Sequence, residues 1–381
     1  MSATSRVTSL QRLDCLGTRP AAPEVLSPLI RGNCESLVHL RLSRAIRIPD
    51  GVSFPRLLFL QACLRVSHYS RFPRLTTLVL EDPSSLDPRL RLPLLRELVL
   101  LGRHPLPPDF VRSHCHQLEV LRIPWQQPPV DCAFPRLQTL QTMRLEARTA
   151  ATSPLLQQVI LSAHRLEAAI GSLVHLRSLD VRFSTRDASF KQEVAHFARQ
   201  LESLSRQVAS SLSSFAFKSR DACLPRPLLS RLLSSLTGLR ELSLASPRTR
   251  LLEHDVEGLV QRNPGLQVLR LTNASFSSAA LVSLSALTRL RDLVIKGRDV
   301  FDDSCASASF TSDAVLSLLR GSSRGCLRRV DLLCGSLAVP LIEEEVRGMQ
   351  EERGAAGQAP QQTISLVVYP QFMFNSRIVI R

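Results

Sequence analysis

A few stretches of this 381-residue chain gather side chains capable of chemistry. His114-Cys115-His116 is the one dense cluster of metal-ligand types. Structural zinc sites use four ligands at longer spacings, so the cluster reads as a polar turn ahead of a strand near Leu118. Asp302-Asp303 and Glu343-Glu344-Glu345 read as solvated acids in a loop and at a helix start. No phosphate-cradling glycine loop, GxSxG nucleophile turn or HExxH zinc helix occurs. The chain therefore offers no catalytic residue, no metal site and no cofactor site, and it reads as non-enzymatic.

Nine cysteines lie scattered at positions 15, 34, 63, 115, 132, 223, 305, 326 and 334. Their odd number and the lack of a CxxC pair suit free thiols in a reducing compartment, so a cytoplasmic or nuclear location is expected. The start, MSATSRVTSLQRLDCL, lacks the basic and apolar regions of a secretory signal. No run of 18 uncharged apolar residues is present, so no membrane span is expected. The Asn273-Ala-Ser275 sequon reads as coincidental in such a chain.

The formal charge is +15, carried by 45 Arg and only 3 Lys against 33 acids. An acidic partner, nucleic acid or a membrane surface would favour such an excess, and so would a codon bias toward Arg. Where the arginines sit has to decide. With 44% hydrophobic and 5% aromatic residues, the core must be large and aliphatic.

One word positions all of these residues. Leu-x-x-Leu-x-Leu, with other aliphatics allowed, starts at Leu10, Leu37, Leu57, Leu75, Leu95, Leu118, Leu137, Leu156, Leu176, Leu212, Leu239, Leu266, Leu290 and Leu327, with a degenerate copy near Ile364. The alternation Leu-x-Leu is a short strand with one buried face. A strand so short must stack beside copies of itself to complete a core.

On these residues the chain resembles the leucine-rich repeat family from residue 9 to about 335. The resemblance implies an α/β solenoid, a horseshoe whose parallel strands line a concave protein-binding face. The family's Asn or Cys ladder after the strand is missing here: those positions hold residues such as Pro83, Arg103, Gln126 and Leu145. The chain reads as a single array over 1–381. Short repeats with irregular return segments span 9–184. A long helical insert spans 185–212, helical repeats 213–340, and a helix, loop and terminal strand 341–381. Helices are expected over 228–236, 252–264, 277–287 and 311–321. These longer repeats resemble ribonuclease-inhibitor-like arrays and those of F-box proteins, which hold substrates for ubiquitin ligases, although no helical F-box is visible.

The outward strand positions are nearly balanced, with eight basic and seven acidic residues, so the excess charge lies elsewhere. Nucleic acid is therefore the weakest partner class for the concave face. Outward apolar residues gather on repeats three to eight: Phe59, Cys63, Val79, Val99, Leu101, Val120, Met143 and Ile160. With Glu81, Glu97 and Arg122 beside them they form the candidate protein-binding patch. Next to the first Leu of each repeat stand Arg56, Arg74, Arg96, Arg136, Arg177 and Arg240, and also Arg289, Arg291 and Arg328, against the single acid Glu119. They predict a basic rim that would steer an acidic protein or hold RNA weakly. In the recurring Phe-Pro-Arg-Leu at Phe54, Phe72 and Phe134, the Phe should fill the core and the Pro stiffen the turn. The expected function is a scaffold binding a protein partner, as a monomer or within a hetero-complex. The alternative is substrate recognition in an SCF-type ubiquitin ligase, with ligase components as partners.

Overall fold

Each repeat of the leucine word folds into a turn and a strand. A computed structural model describes residues 10–15, 23–42, 48, 51–62, 71–83, 86–143, 145–161, 173–183, 211–219, 226–296, 311–321, 327, 329–333, 344, 347–348, 351, 365–369 and 378–380. Residues 185–210 of the predicted helical insert, Cys63, Asp302-Asp303, Glu343, Glu345 and Arg328 lie outside them. The chain divides into two compact units, Met1–His175 and Leu176–Arg381. Both are built as a leucine-rich repeat solenoid, a ladder of parallel strands backed by return segments.

In the first unit the strands are β1 (Arg12–Cys15), β2 (His39–Leu42), β3 (Phe59–Ala62), β4 (Thr77–Leu80), β5 (Glu97–Leu100), β6 (Val120–Ile123), β7 (Thr139–Thr142) and β8 (Gln158–Leu161). They pair in chain order, all parallel. The register aligns Leu40, Leu60, Leu78, Leu98, Leu121 and Leu140 in one buried row. Four residues per strand put two side chains inward and two outward. Each fully buried leucine stabilises the stack by roughly 2 kcal/mol.

The second unit holds β9 (Ser178–Phe183), β10 (Ser214–Ser219), β11 (Glu241–Leu251), β12 (Val268–Phe276), β13 (Asp292–Lys296), β14 (Arg329–Leu333) and β15 (Ser365–Tyr369), again parallel in order. The degenerate copy near Ile364 is thus a true repeat strand. A final strand, β16 (Ile378–Ile380), runs antiparallel to it.

Return segments follow step length. In the first unit α1 (Pro23–Asn33) occupies the long step from Leu10 to Leu37, and α2 (Pro108–His114) and α3 (Ala147–Ala151) are short. The eleven-residue α1 departs from the short irregular returns expected over this half. In the second unit α4 (Arg226–Ser235), α5 (Glu253–Arg262), α6 (Ser278–Ser283) with a 3-10 turn at Leu284–Ala286, and α7 (Ser312–Gly321) sit where the sequence places helices.

Phe-Pro-Arg-Leu is a turn that delivers the chain into each strand. Its last N–H donates to the first residue's carbonyl: Leu57 to Phe54 and Leu75 to Phe72 at 3.3 Å, Leu137 to Phe134 at 3.2 Å. Proline suits the second position of such a turn because its φ is already set. Leu92-Pro-Leu-Leu95, Ser153-Pro-Leu-Leu156 and Asn263-Pro-Gly-Leu266 make the same bond at 3.1, 3.1 and 3.0 Å. The three Phe rings are buried, and Phe54 stacks on Phe72 with centroids 5.3 Å apart.

After α1, α2 and α5 a polar residue takes the place of Phe, whereas Leu236 and Leu287 stand there after α4 and α6. A helix end and the neighbouring repeat leave backbone groups without partners in the core. Asn263, fully buried, accepts from Leu239 N–H at 2.8 Å and donates to the carbonyls of Leu259 and Leu236. Asn33 likewise accepts from Leu10 N–H and donates to Leu29. His114 does the same work at the end of α2: its Nε2 accepts from Leu92 N–H at 3.1 Å and its Nδ1 faces Phe110 O at 2.8 Å. The predicted polar turn is therefore confined to residues 115–117, and His114 itself belongs to the core. Gln126 stands as a rung at one of the ladder positions: its Oε1 accepts from Leu106 N–H at 2.9 Å.

Candidate protein-binding face

The parallel register turns the outward positions of the first unit into columns. The first column runs Arg12, His39, Phe59, Thr77, Glu97, Val120, Thr139, Gln158. The second runs Asp14, Arg41, Gln61, Val79, Val99, Arg122, Gln141, Ile160.

At β1–β3 the face is covered by its own rings and charges, although His39 Nε2 and Arg41 Nε are buried without a hydrogen-bond partner. The His39 ring stacks flat on Phe59 with centroids 4.2 Å apart, and Arg41 lies over the same ring at 5.1 Å. Asp14 pairs with Arg12 at 2.8 Å and approaches His39 at 3.4 Å. Burial pushes the His39 pKa down, opposed by the Asp14 carboxylate. Phe59 is thus a packed member of a stack, and half-buried.

The centre is more open. Val79 and Val99 are direct cross-strand neighbours, but Val79 is only 9% exposed. Val99 and Val120 are half-buried on adjacent strands. Leu101, directly after β5, is 52% exposed. Glu97 accepts from Thr77 Oγ1 at 3.3 Å and Glu81 from Gln61 Nε2 at 3.4 Å, so both acids border this centre. Arg122 opposes Val99 in the register and is exposed. Ile160 and the half-buried Met143 stand apart, because Arg122 and Gln141 separate Ile160 from Val99 along its column. The expected continuous patch is therefore a smaller one around Val99, Leu101 and Val120.

Beyond the strand ends this patch meets residues that strand counting missed. Trp125, 40% exposed, carries the Arg103 guanidinium over its ring at 5.1 Å. Beside it an open cleft of about 520 Å3 is lined by Pro105, Leu106, Pro108, Val111, Pro129 and Val130, with Arg112, Asp131 and Arg148 among its polar walls. Arg112 bonds both Asp109 and Asp131 at 2.7 Å, which holds the Asp131 carboxyl below its usual range. Cys132 is buried behind this wall. Desolvation first, and the neighbouring Cys115 second, push its thiol up to about 12. The chain's one tryptophan, placed between prolines, was the available sequence signal.

The rim arginines Arg56, Arg74, Arg96, Arg136, Arg177 and Arg240 are all exposed. In the first unit Arg96 pairs with Glu119 at 3.2 Å, and the exposed leucines Leu58 and Leu94 interrupt the row. In the second unit the open face pairs its own charges: Asp180 with Arg182 at 2.7 Å and Lys218 at 3.3 Å, and buried Asp331 with Arg329. Among the described residues no group of three His, Cys, Asp or Glu could hold a metal ion. No described helix is long and apolar enough to cross a membrane.

No protein-family model and no curated protein matches the chain. Solved structures do. A leucine-rich repeat protein of Leptospira interrogans is 16% identical, with 90% of this chain and 76% of that chain covered and a TM-score of 0.41. An internalin of Listeria monocytogenes is 15% identical over 96% and 88% of the two chains, with a TM-score of 0.36. A chain of the Drosophila Toll–Spatzle complex is 14% identical over 71% and 44%, with a TM-score of 0.32. At this identity the likeness concerns the fold alone.

Proposed function

We propose that this chain is a non-enzymatic scaffold that binds another protein through the open sheet face of its first unit. One observation carries this reading. Leu101 and Trp125 are each 40% or more exposed, and they follow the ends of adjacent strands β5 and β6, which carry half-buried Val99 and Val120. Large apolar side chains rarely group on a surface without a partner, and a tryptophan is a frequent anchor. Glu81 and Glu97 on one side and Arg122 on the other supply the charged border of such an interface. The partner then carries an apolar anchor flanked by both signs of charge. In the double variant Val99→Asp/Leu101→Asp, partner affinity falls about 30-fold or more with an unchanged melting temperature. Unchanged affinity would remove the patch from the account.

A second reading, substrate recognition in an SCF-type ubiquitin ligase, draws on the helical returns α4–α7 of the second unit. Co-purification of a cullin and its adaptor would favour it, and their absence from an otherwise productive capture would count against it. A cytoplasmic or nuclear location goes with both readings and with the free thiols of Cys15, Cys34, Cys115 and Cys132. Imaging of the tagged chain tests it.

A further inference from the structure

A row of arginines along one edge of the second unit forms no ion pair among the described residues. Arg177, Ser213, Arg240, Gln267 and Arg291 occupy equivalent positions just before β9 to β13. Their backbones bond in sequence: Ser213 N–H to Arg177 O at 2.9 Å, Arg240 to Ser213, Gln267 to Arg240 and Arg291 to Gln267, each at 2.7 Å. Neighbouring strands lie about 4.8 Å apart, so the arginines recur at about 9.6 Å with an uncharged residue between them. Arg177, Arg240 and Arg291 are exposed, and none has an ion-pair partner among the described residues. Exposed Arg289 adds a fourth guanidinium to this edge. By contrast, Arg182 and Lys218 share Asp180, and the equivalent Arg96 of the first unit has Glu119.

We propose that this edge binds an acidic, extended segment of a partner protein, whose carboxylates pair one by one with Arg177, Arg240 and Arg291. The spacing favours a peptide over nucleic acid. In a polyproline-type chain every third residue returns to the same side after about 9.3 Å, close to the arginine repeat. A nucleic acid presents phosphate continuously. Laid along this edge it would meet Glu241 and Asp292, the acids that directly follow Arg240 and Arg291. Separated carboxylates bring less like charge beside these two acids than a continuous phosphate chain does. The edge lies on the second unit, so this proposal stands or falls independently of the apolar patch on the first.

The test uses the full chain and fluorescence anisotropy with three labelled probes. They are a peptide with glutamate at every third position, a peptide of the same composition with its glutamates contiguous, and a single-stranded oligouridine of equal charge. The spaced peptide is expected to bind tightest and to weaken as salt rises. The triple variant Arg177→Ser/Arg240→Ser/Arg291→Ser should weaken it about tenfold, while Arg→Lys at the same positions retains most of the binding. These side chains are solvent-exposed, so the variants are expected to fold, and circular dichroism verifies this. Tighter binding of oligouridine, equal binding of both peptides, salt-insensitive affinity, or an unaffected triple variant would each overturn the proposal.

Discussion

His114 shows how a residue suited to metal chemistry can be spent on folding. Its ring is buried, takes the Leu92 N–H on Nε2 and faces the Phe110 carbonyl with Nδ1, so it must stay neutral. Burial accordingly lowers its pKa from the ordinary 6.5. Between the lowered folded value and 6.5 the unfolded chain binds more protons, so stability is full above 6.5 and declines as pH falls below it. His39 shares this direction, and His114→Asn should therefore remove part of the acid sensitivity while keeping the acceptor, as Asn33 and Asn263 do at their helix ends. His114→Leu leaves the Leu92 amide without an acceptor and should cost about 1–3 kcal/mol at neutral pH. Thermal melts across the pH range separate the two variants, and equal acid sensitivity in wild type and His114→Asn would contradict this role. Cys132, with its thiol pushed up to about 12, should resist alkylation in the folded protein, and peptide mapping reads this directly. Sequence spacing placed Asn263 at the end of an expected helix and His114 in a polar turn. It could not show their bonds, because each partner amide lies more than twenty residues away in the preceding repeat.

At the scale of elements, the strands and the second unit's helices were legible because one short word fixes both. Leu-x-Leu sets the buried face, and the step to the next word sets whether a helix fits. The extent of the apolar patch was not legible, since sequence gives column positions and not the covering that leaves Val79 nearly buried. Nor does strand counting reach Trp125 or the cleft, which follow from return segments. One close approach pins the end of β5. A Cβ on Gly102 would overlap the Glu81 carbonyl, and that backbone is held by Glu81 N–H to Ala62 O at 3.1 Å. Gly102→Ala should therefore destabilise the first unit by about 2 kcal/mol in urea unfolding. Gly32→Ala in α1 meets nothing within 4 Å and should leave stability unchanged or raise it slightly. A harmless Gly102→Ala would mean the β4 and β5 ends are not packed as described.

For the whole molecule, the +15 charge was readable from composition, while its placement needed the register. The first unit pairs Arg96 with Glu119 and interrupts its row with leucines, while in the second Arg177, Arg240 and Arg291 have no ion-pair partner among the described residues. The nearly balanced strand faces expected from sequence follow from pairs such as Arg12–Asp14 and Arg182–Asp180. Apolar contact and basic edge thus lie on different units, and their variants should act on different ligands. The most direct measurement is quantitative affinity capture with the wild-type chain and with Val99→Asp/Leu101→Asp, side by side. Each captured protein is then titrated against the purified chain while the Trp125 emission is followed. The account predicts a partner that shifts the Trp125 emission on wild type and is lost from the double variant at unchanged melting temperature. A partner that binds both chains equally, with Trp125 unmoved, would contradict it.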